Sequence, residues 1–167
     1  DSLINARLLL GWSYHIAGDT PRAINLYEDT LKRAREIGDM ASISMCLRRL
    51  GVMYSDLEND MMKGLDYAEQ ALEIAKQIND KQLISDCLEL QANIFGVQDH
   101  YVEALDFYTQ SIELREQMNS NALPQSYNNI GHYYIWSVPH LSKAMEYFNL
   151  ALDVSSKNRD QSGSAWA

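Results

Sequence analysis

The chain has 167 residues, 46% of them hydrophobic and 22% charged, and its 23 acidic against 14 basic side chains give a formal net charge of −9. Enough apolar residues are present for a packed core, but the longest apolar stretches, such as Leu8 to Leu10, are far short of the ~20 residues a membrane span needs, and no basic, apolar leader is read at the start. The acidic balance disfavours nonspecific binding to nucleic acid, and two cysteines, Cys46 and Cys87, without a CxxC or Cys/His cluster, make neither a disulfide framework nor a metal motif, which points to a reducing cytoplasm.

Three prolines, eight glycines and abundant Ala, Leu, Glu, Gln, Lys, Arg and Met predict helix throughout. The first predicted helix centres on Gly11, followed three residues later by Tyr14. GDTP then combines a Gly18 stop, an Asp19 or Thr20 cap and Pro21 in the first turn of the next helix, which carries Ala23, Tyr27 and Leu31 on one face. At the junction that follows, Gly38 is suited to the left-handed conformation that ends a helix and Asp39 to capping the next.

The same pattern returns three times. Gly51 and Tyr54 precede Gly64, Ala68 and Leu72; Ala92 and Phe95 precede Ala104, Tyr108 and Ile112; Gly131 and Tyr134 precede Ala144, Phe148 and Leu152. Gly11, Gly51, Ala92 and Gly131 are separated by 40, 41 and 39 residues. Asn79 with Asp80, and Asn119 with Ser120, are predicted to stop and cap as Gly38 and Asp39 do. The internal turns of the second and fourth units are one residue longer, with Pro139 in the latter. The closing RDQSGSAWA reads as another junction and the start of a fifth unit. The predicted repeats run approximately 1–39, 40–80, 81–120 and 121–160, with 161–167 opening a further one, in a single domain expected to be an excerpt of a longer protein.

Each unit is thus two helices, A and B. A small residue on A lets B approach, and the following ring fills the wedge beside that contact. One hairpin leaves an apolar face uncovered, so neighbouring hairpins must stack, and three or more are needed. The fold class predicted is all-α, a solenoid of about four helix-turn-helix repeats.

At these positions the sequence resembles the tetratricopeptide repeat family. Leu10-Gly11, Tyr14, Gly18-Asp19, Ala23 and Tyr27 match its signature in the first repeat, and Tyr127, Ile130-Gly131, Tyr134, Ala144, Phe148 and Ala151 match it in the fourth. The period of about 40 exceeds the usual ~34, and the proline near the end of helix B is absent. The resemblance implies a right-handed superhelix whose inner surface is lined by helix A. It places Trp12, His15, Arg48, Asp56, Glu89, Asn93, Asn128, His132 and Trp136 there as candidate peptide-binding residues.

Asn93 and Asn128 offer donors and acceptors for a peptide backbone, and Trp12 and Trp136 offer rings for apolar side chains. Arg48 and Glu89 hold equivalent positions in neighbouring repeats and are expected to pair with each other. Acidic residues are read as single, exposed charges, and Met61-Met62 as packing. Cys46 and Cys87, each five residues before the small residue of its helix A, are read as core. The four histidines show no metal-ligand spacing, and GxSxG, GxGxxG and GKS motifs are missing, so no enzyme, metal or cofactor is expected of this segment.

Residues 81–120 carry −5 of the net charge, which would favour a basic partner segment there. Three functions stay open: the sensory or regulatory region of a larger bacterial signalling protein with an attached cyclase, kinase or DNA-binding output; a free-standing scaffold; and a peptide-sensing receptor. The first is favoured by resemblance to such bacterial repeats. The expected partner is a protein, a peptide or the attached output domain, with neither nucleic acid nor membrane insertion, and a homodimer through an exposed solenoid end remains open.

Overall fold

The computed structural model describes residues 2–57, 60–136 and 138–164, with side chains through Asn158. Among them are eight helices and no strand: α1 (Ser2–Ile16), α2 (Thr20–Ile37), α3 (Met40–Ser55), α4 (Met61–Gln77), α5 (Lys81–Val97), α6 (Tyr101–Gln117), α7 (Leu123–Trp136) and α8 (Leu141–Ser164). They pack as consecutive A and B pairs, α1 with α2 through α7 with α8, and each B helix also packs on the A helix that follows it. The result is the four-hairpin stack that the 40-residue period requires.

Helix ends form where residues of special backbone freedom stand. Gly18 and Gly38 have φ of 79° and 69°, and Asn79 and Asn119 take the same left-handed region at 54° and 48°. Next to them the carboxylates of Asp19, Asp39 and Asp80 accept the backbone N–H groups of Arg22, Ser42 and Leu83, satisfying donors that a helix start leaves open. Ser120 departs from this scheme. Its Oγ accepts the N–H of Ala122, so it holds a turn ahead of α7, which begins only at Leu123. Asp99, not anticipated as a stop, also adopts a positive φ of 62°, after α5. The expected junction in RDQSGSAWA is corrected as far as Ser164, because α8 continues as one 24-residue helix to that point. Residues 165–167 lie outside the described residues.

The small residues of helix A do set how closely B approaches. A Cβ at Gly11 would stand 2.7 Å from the Tyr27 ring, and one at Gly131 would stand 2.7 Å from the Phe148 ring. In the second repeat Ala68 replaces that ring, and the helices close up backbone to backbone instead. There a Cβ at Gly64 would lie 2.8 Å from the Ser55 nitrogen and 3.0 Å from the Gly51 carbonyl oxygen. Three residues after each small position, ring meets ring: Tyr54 on Tyr67, Phe95 on Phe107 and Tyr134 on Tyr147, at centroid distances of 5.5, 5.4 and 5.7 Å. The first repeat has Leu26 at the equivalent of Tyr67, and Tyr14 faces the Arg22 guanidinium instead. Offset stacks of this kind contribute ~1 kcal/mol each beyond simple burial.

Cys46 and Cys87 are fully buried among these apolar groups. Met61 packs against Leu90 and Ile94 as expected, but Met62 is exposed. The outer face of α8 also leaves Leu141, Met145 and Leu152 exposed.

Candidate functional site

Helix A of one repeat touches helix A of the next along the first three repeats, α1 with α3 and α3 with α5, whereas successive B helices do not meet to a comparable extent. Hairpins that are closer on the A side place the A helices on the inside of the curve. Two hollows open on that side. One, of about 330 Å³, lies between α1 and α3 and is lined by Asn5, Leu8, Leu9, Trp12, Met45, Arg48 and Arg49. The other, of about 260 Å³, lies between α5 and α7 over Tyr108 of α6, with Asn93, Val97, Asn129, His132, Tyr133 and Trp136 at its walls.

The predicted site residues thus divide. Trp12 and Arg48 share the first hollow; Asn93, His132 and Trp136 share the second. His15 stands against Trp12, ring centroids 4.9 Å apart, and its Nε2 is 3.9 Å from an Asp56 carboxylate oxygen. Asn128 is half-buried and lines neither hollow. Trp12 and Trp136 thus line different hollows of the same A-helix side.

Glu89 is engaged within the fold through one carboxylate oxygen, while its Oε1 is buried without a hydrogen-bond partner. It pairs with Arg115 of α6 at 2.9 Å, and Asp86 pairs with the same guanidinium at 2.6 Å. Arg115 is only 3% exposed and also donates to the hydroxyls of Ser85 and Ser126, so it ties α5, α6 and α7 together. This corrects two expectations at once: Glu89 does not pair with Arg48, and Asp86 and Glu89 act together on a buried cation. Position and spacing on helix A suggested the Arg48 pairing. The deeper attraction is Arg115, whose burial in a stack of apolar helices demands carboxylates in return.

The family resemblance places Arg48 on the inner surface but not Arg49. Leu9, Arg49 and Asn129, each two residues before the small residue of its helix A, line the hollows too, because they lie one turn after Asn5, Met45 and Gln125 on the same stripe. The Arg49 guanidinium lies 4.3 Å from the Trp12 ring centroid, a cation–π contact. Burial, and next the adjacent Arg48 charge, holds its pKa below the ordinary arginine value. Arg48 is half-buried, and its Nε is out of contact with solvent and has no hydrogen-bond partner.

The second hollow is aromatic and nearly neutral. Trp136 is 80% exposed at its mouth. The Asn93 carbonyl accepts from the Tyr108 hydroxyl, which leaves its NH₂ as the group to offer a ligand. His132 packs edge-on against Phe148. The two thiols offer no nucleophile, since burial pushes Cys46 and Cys87 up to about 12. Among the described residues no group of three or more His, Cys, Asp or Glu is arranged to hold a metal, and no helix is long and apolar enough to cross a membrane.

Paired helices stacked A on A, with hollows between successive A helices, define an α-solenoid of helix-hairpin repeats. Residues 40–117, just under half of the chain, match the family model described as Tetratricopeptide repeat, and this stretch is of that family. No curated protein matches it in sequence. Among solved structures it is similar to aspartyl phosphate phosphatase F from Bacillus subtilis, with a TM-score of 0.80 at 19% identity over 95% of this chain and 42% of that one. It is similar also to a Rap protein complexed with competence and sporulation factor, with a TM-score of 0.78 at 19% identity over 92% of this chain and 43% of the other. BtubC (BKLC) from P. vanneervenii gives 0.74 at 17% identity, over 94% and 65%. At such identities the likeness is one of fold, and the chain spans about two-fifths to two-thirds of the length of these structures.

Proposed function

We propose that this domain binds an extended protein segment along its A-helix face and serves as the regulatory region of a larger signalling protein. The observation that carries the reading is the placement of both hollows on the inner side of one stack, each bounded by A helices of successive repeats. A segment lying across the four repeats would meet Trp12 at one end and Trp136 at the other. Buried packing fixes these walls in advance, which lowers the ordering cost of binding. The Rap protein solved with competence and sporulation factor shares this fold and supports a ligand-binding role.

Binding here would act on the angle between repeats. Contacts between α6 and α7 are sparser than those between α2 and α3 or α4 and α5, so the third and fourth repeats have the looser junction. A segment reaching the hollow between α5 and α7 biases that junction, and an attached output module would read the change. These residues bind rather than catalyse in this reading, and they work in a reducing cytoplasm. The test is selection of random displayed peptides on the purified protein, followed by titration of the selected peptides against Trp12→Ala and Trp136→Ala. Peptides weakened by these changes support the proposal. Failure to select any peptide, or selection of peptides indifferent to both tryptophans, overturns it.

A further inference from the structure

The hollow between α1 and α3 holds two positive charges with no carboxylate in direct contact among the described residues; Asp86 reaches Arg49 only through its longer-range field. Arg48 and Arg49 are consecutive and half-buried, and among the described residues neither has a carboxylate within ion-pair distance. The acids of the neighbouring A helix, Asp86 and Glu89, are committed to Arg115 at 2.6 and 2.9 Å. Arg49 rests on the Trp12 ring, and the Arg48 Nε is buried without an acceptor. Two adjacent guanidinium groups, partly desolvated and without a direct ion-pair partner, favour an anion that brings acceptor oxygens.

The rest of the wall is apolar: Leu8, Leu9, Trp12 and Met45. A carboxylate alone would leave that wall unused, and about 330 Å³ is more room than it needs. The hollow fits a charged group with an apolar one beside it.

Resting on the peptide-binding reading above, we propose that this hollow selects an acidic side chain of the bound segment together with a neighbouring aliphatic or aromatic side chain. The carboxylate bridges Arg48 and Arg49, and its apolar neighbour lies against Leu8, Met45 and the free part of the Trp12 ring. The specificity is thus opposite in sign to what the domain's net charge suggests. An acidic surface at large discourages acidic segments, and two arginines recessed in the groove reverse that preference at one place.

The probe is a library of random peptides displayed on phage and selected in parallel on the wild type, on Arg48→Gln/Arg49→Gln and on Arg48→Lys/Arg49→Lys, each confirmed to keep its helical circular dichroism. Wild-type selection is expected to enrich Asp or Glu adjacent to Leu, Ile, Phe or Trp. Those peptides should bind the double Gln variant about 10- to 100-fold more weakly, the range for loss of a charge-assisted contact, and the Lys variant should recover part of the loss. Binding to the wild type should also weaken with added salt. Peptides without acidic enrichment, or peptides that bind the Gln variant unchanged, overturn the proposal. If such peptides still depend on Trp136, the groove reading stands and only the acid preference falls. If no peptide is selected at all, both fall.

Discussion

Gly64→Ala tests whether backbone contact between α3 and α4 sets the geometry of the second repeat. The alanine Cβ would stand 2.8 Å from the Ser55 nitrogen, 3.0 Å from the Gly51 oxygen and 3.1 Å from the Ser55 Cα. All three are backbone atoms of α3, so no side-chain rotation relieves the clash. Ordinary contact is ~3.5 Å, so α4 must move off α3 by about half an ångström or more and give up dispersion along the whole pair. Overpacking costs ~1–3 kcal/mol, and an immovable neighbour places this site at the upper end. Against that stands the helix-propensity gain of Ala over Gly, about 1 kcal/mol. The net expectation is a loss of ~2 kcal/mol, measured by urea unfolding followed by helical circular dichroism. Gly96→Ala is the control. Its Cβ would meet side chains, the Tyr133 ring at 3.2 Å and the Ala104 Cβ at an ordinary 3.9 Å, and its net effect should lie within ~1 kcal/mol of zero. Stabilisation by Gly64→Ala, as propensity alone predicts, would refute the reasoning.

Three further outcomes follow from the same packing. Arg115→Ala strands the Asp86 and Glu89 carboxylates without their buried cation and should cost ~3–5 kcal/mol in chemical denaturation, whereas Arg22→Ala, at an exposed pair, should cost under ~1 kcal/mol. Hydrogen bonds from the Ser42 hydroxyl and N–H hold Asp39 below the ordinary carboxylate value. Its cap therefore contributes above the unfolded-state pKa and is lost as pH falls through the lower folded value. Asp39→Ala should accordingly cost ~1 kcal/mol at neutral pH, and the difference from wild type should shrink as acid carries the pH down through the lowered folded-state value. Cys46 and Cys87, buried and pushed up to about 12, should be inert to a thiol reagent at mildly alkaline pH and react together on unfolding, while rapid labelling of the native protein would contradict their place in the core.

Much of the fold was legible because its determinants are local or periodic. Gly11, Gly51 and Gly131 announced where two helices cross, and Gly38, Asn79 and Asn119 where helices end, since few side chains serve either purpose. The role of Ser120 is not legible, because a serine after a left-handed residue serves equally as a cap or as the anchor of an extra turn. The ring pairs Tyr54–Tyr67, Phe95–Phe107 and Tyr134–Tyr147 also recur at fixed repeat positions, but their partners are on different helices, so only the packed structure joins them.

The site was less legible, for a physical reason. Helix A has a face toward the groove, and Trp12, Arg48, Asn93, His132 and Trp136 could be assigned to it by register. What each then does depends on cross-helix neighbours. Arg115 lies 26 residues from Glu89 in sequence, and nothing in the register of helix A reveals that it takes Glu89 and Asp86 out of play. The same capture leaves Arg48 and Arg49 without an ion-pair partner among the described residues, and on this rests the proposed preference for an acidic residue at the first hollow, where net charge alone suggested a basic segment.

The most direct test of the binding account is a map, by amide and indole nuclear magnetic resonance shifts, of where a selected peptide touches the protein. Perturbations should concentrate on α1, α3, α5 and α7, with the Trp12 and Trp136 indoles and the Asn93 side-chain amide among the most shifted. A footprint on the outward faces of α2, α4 and α6, with those three groups unmoved, would contradict it.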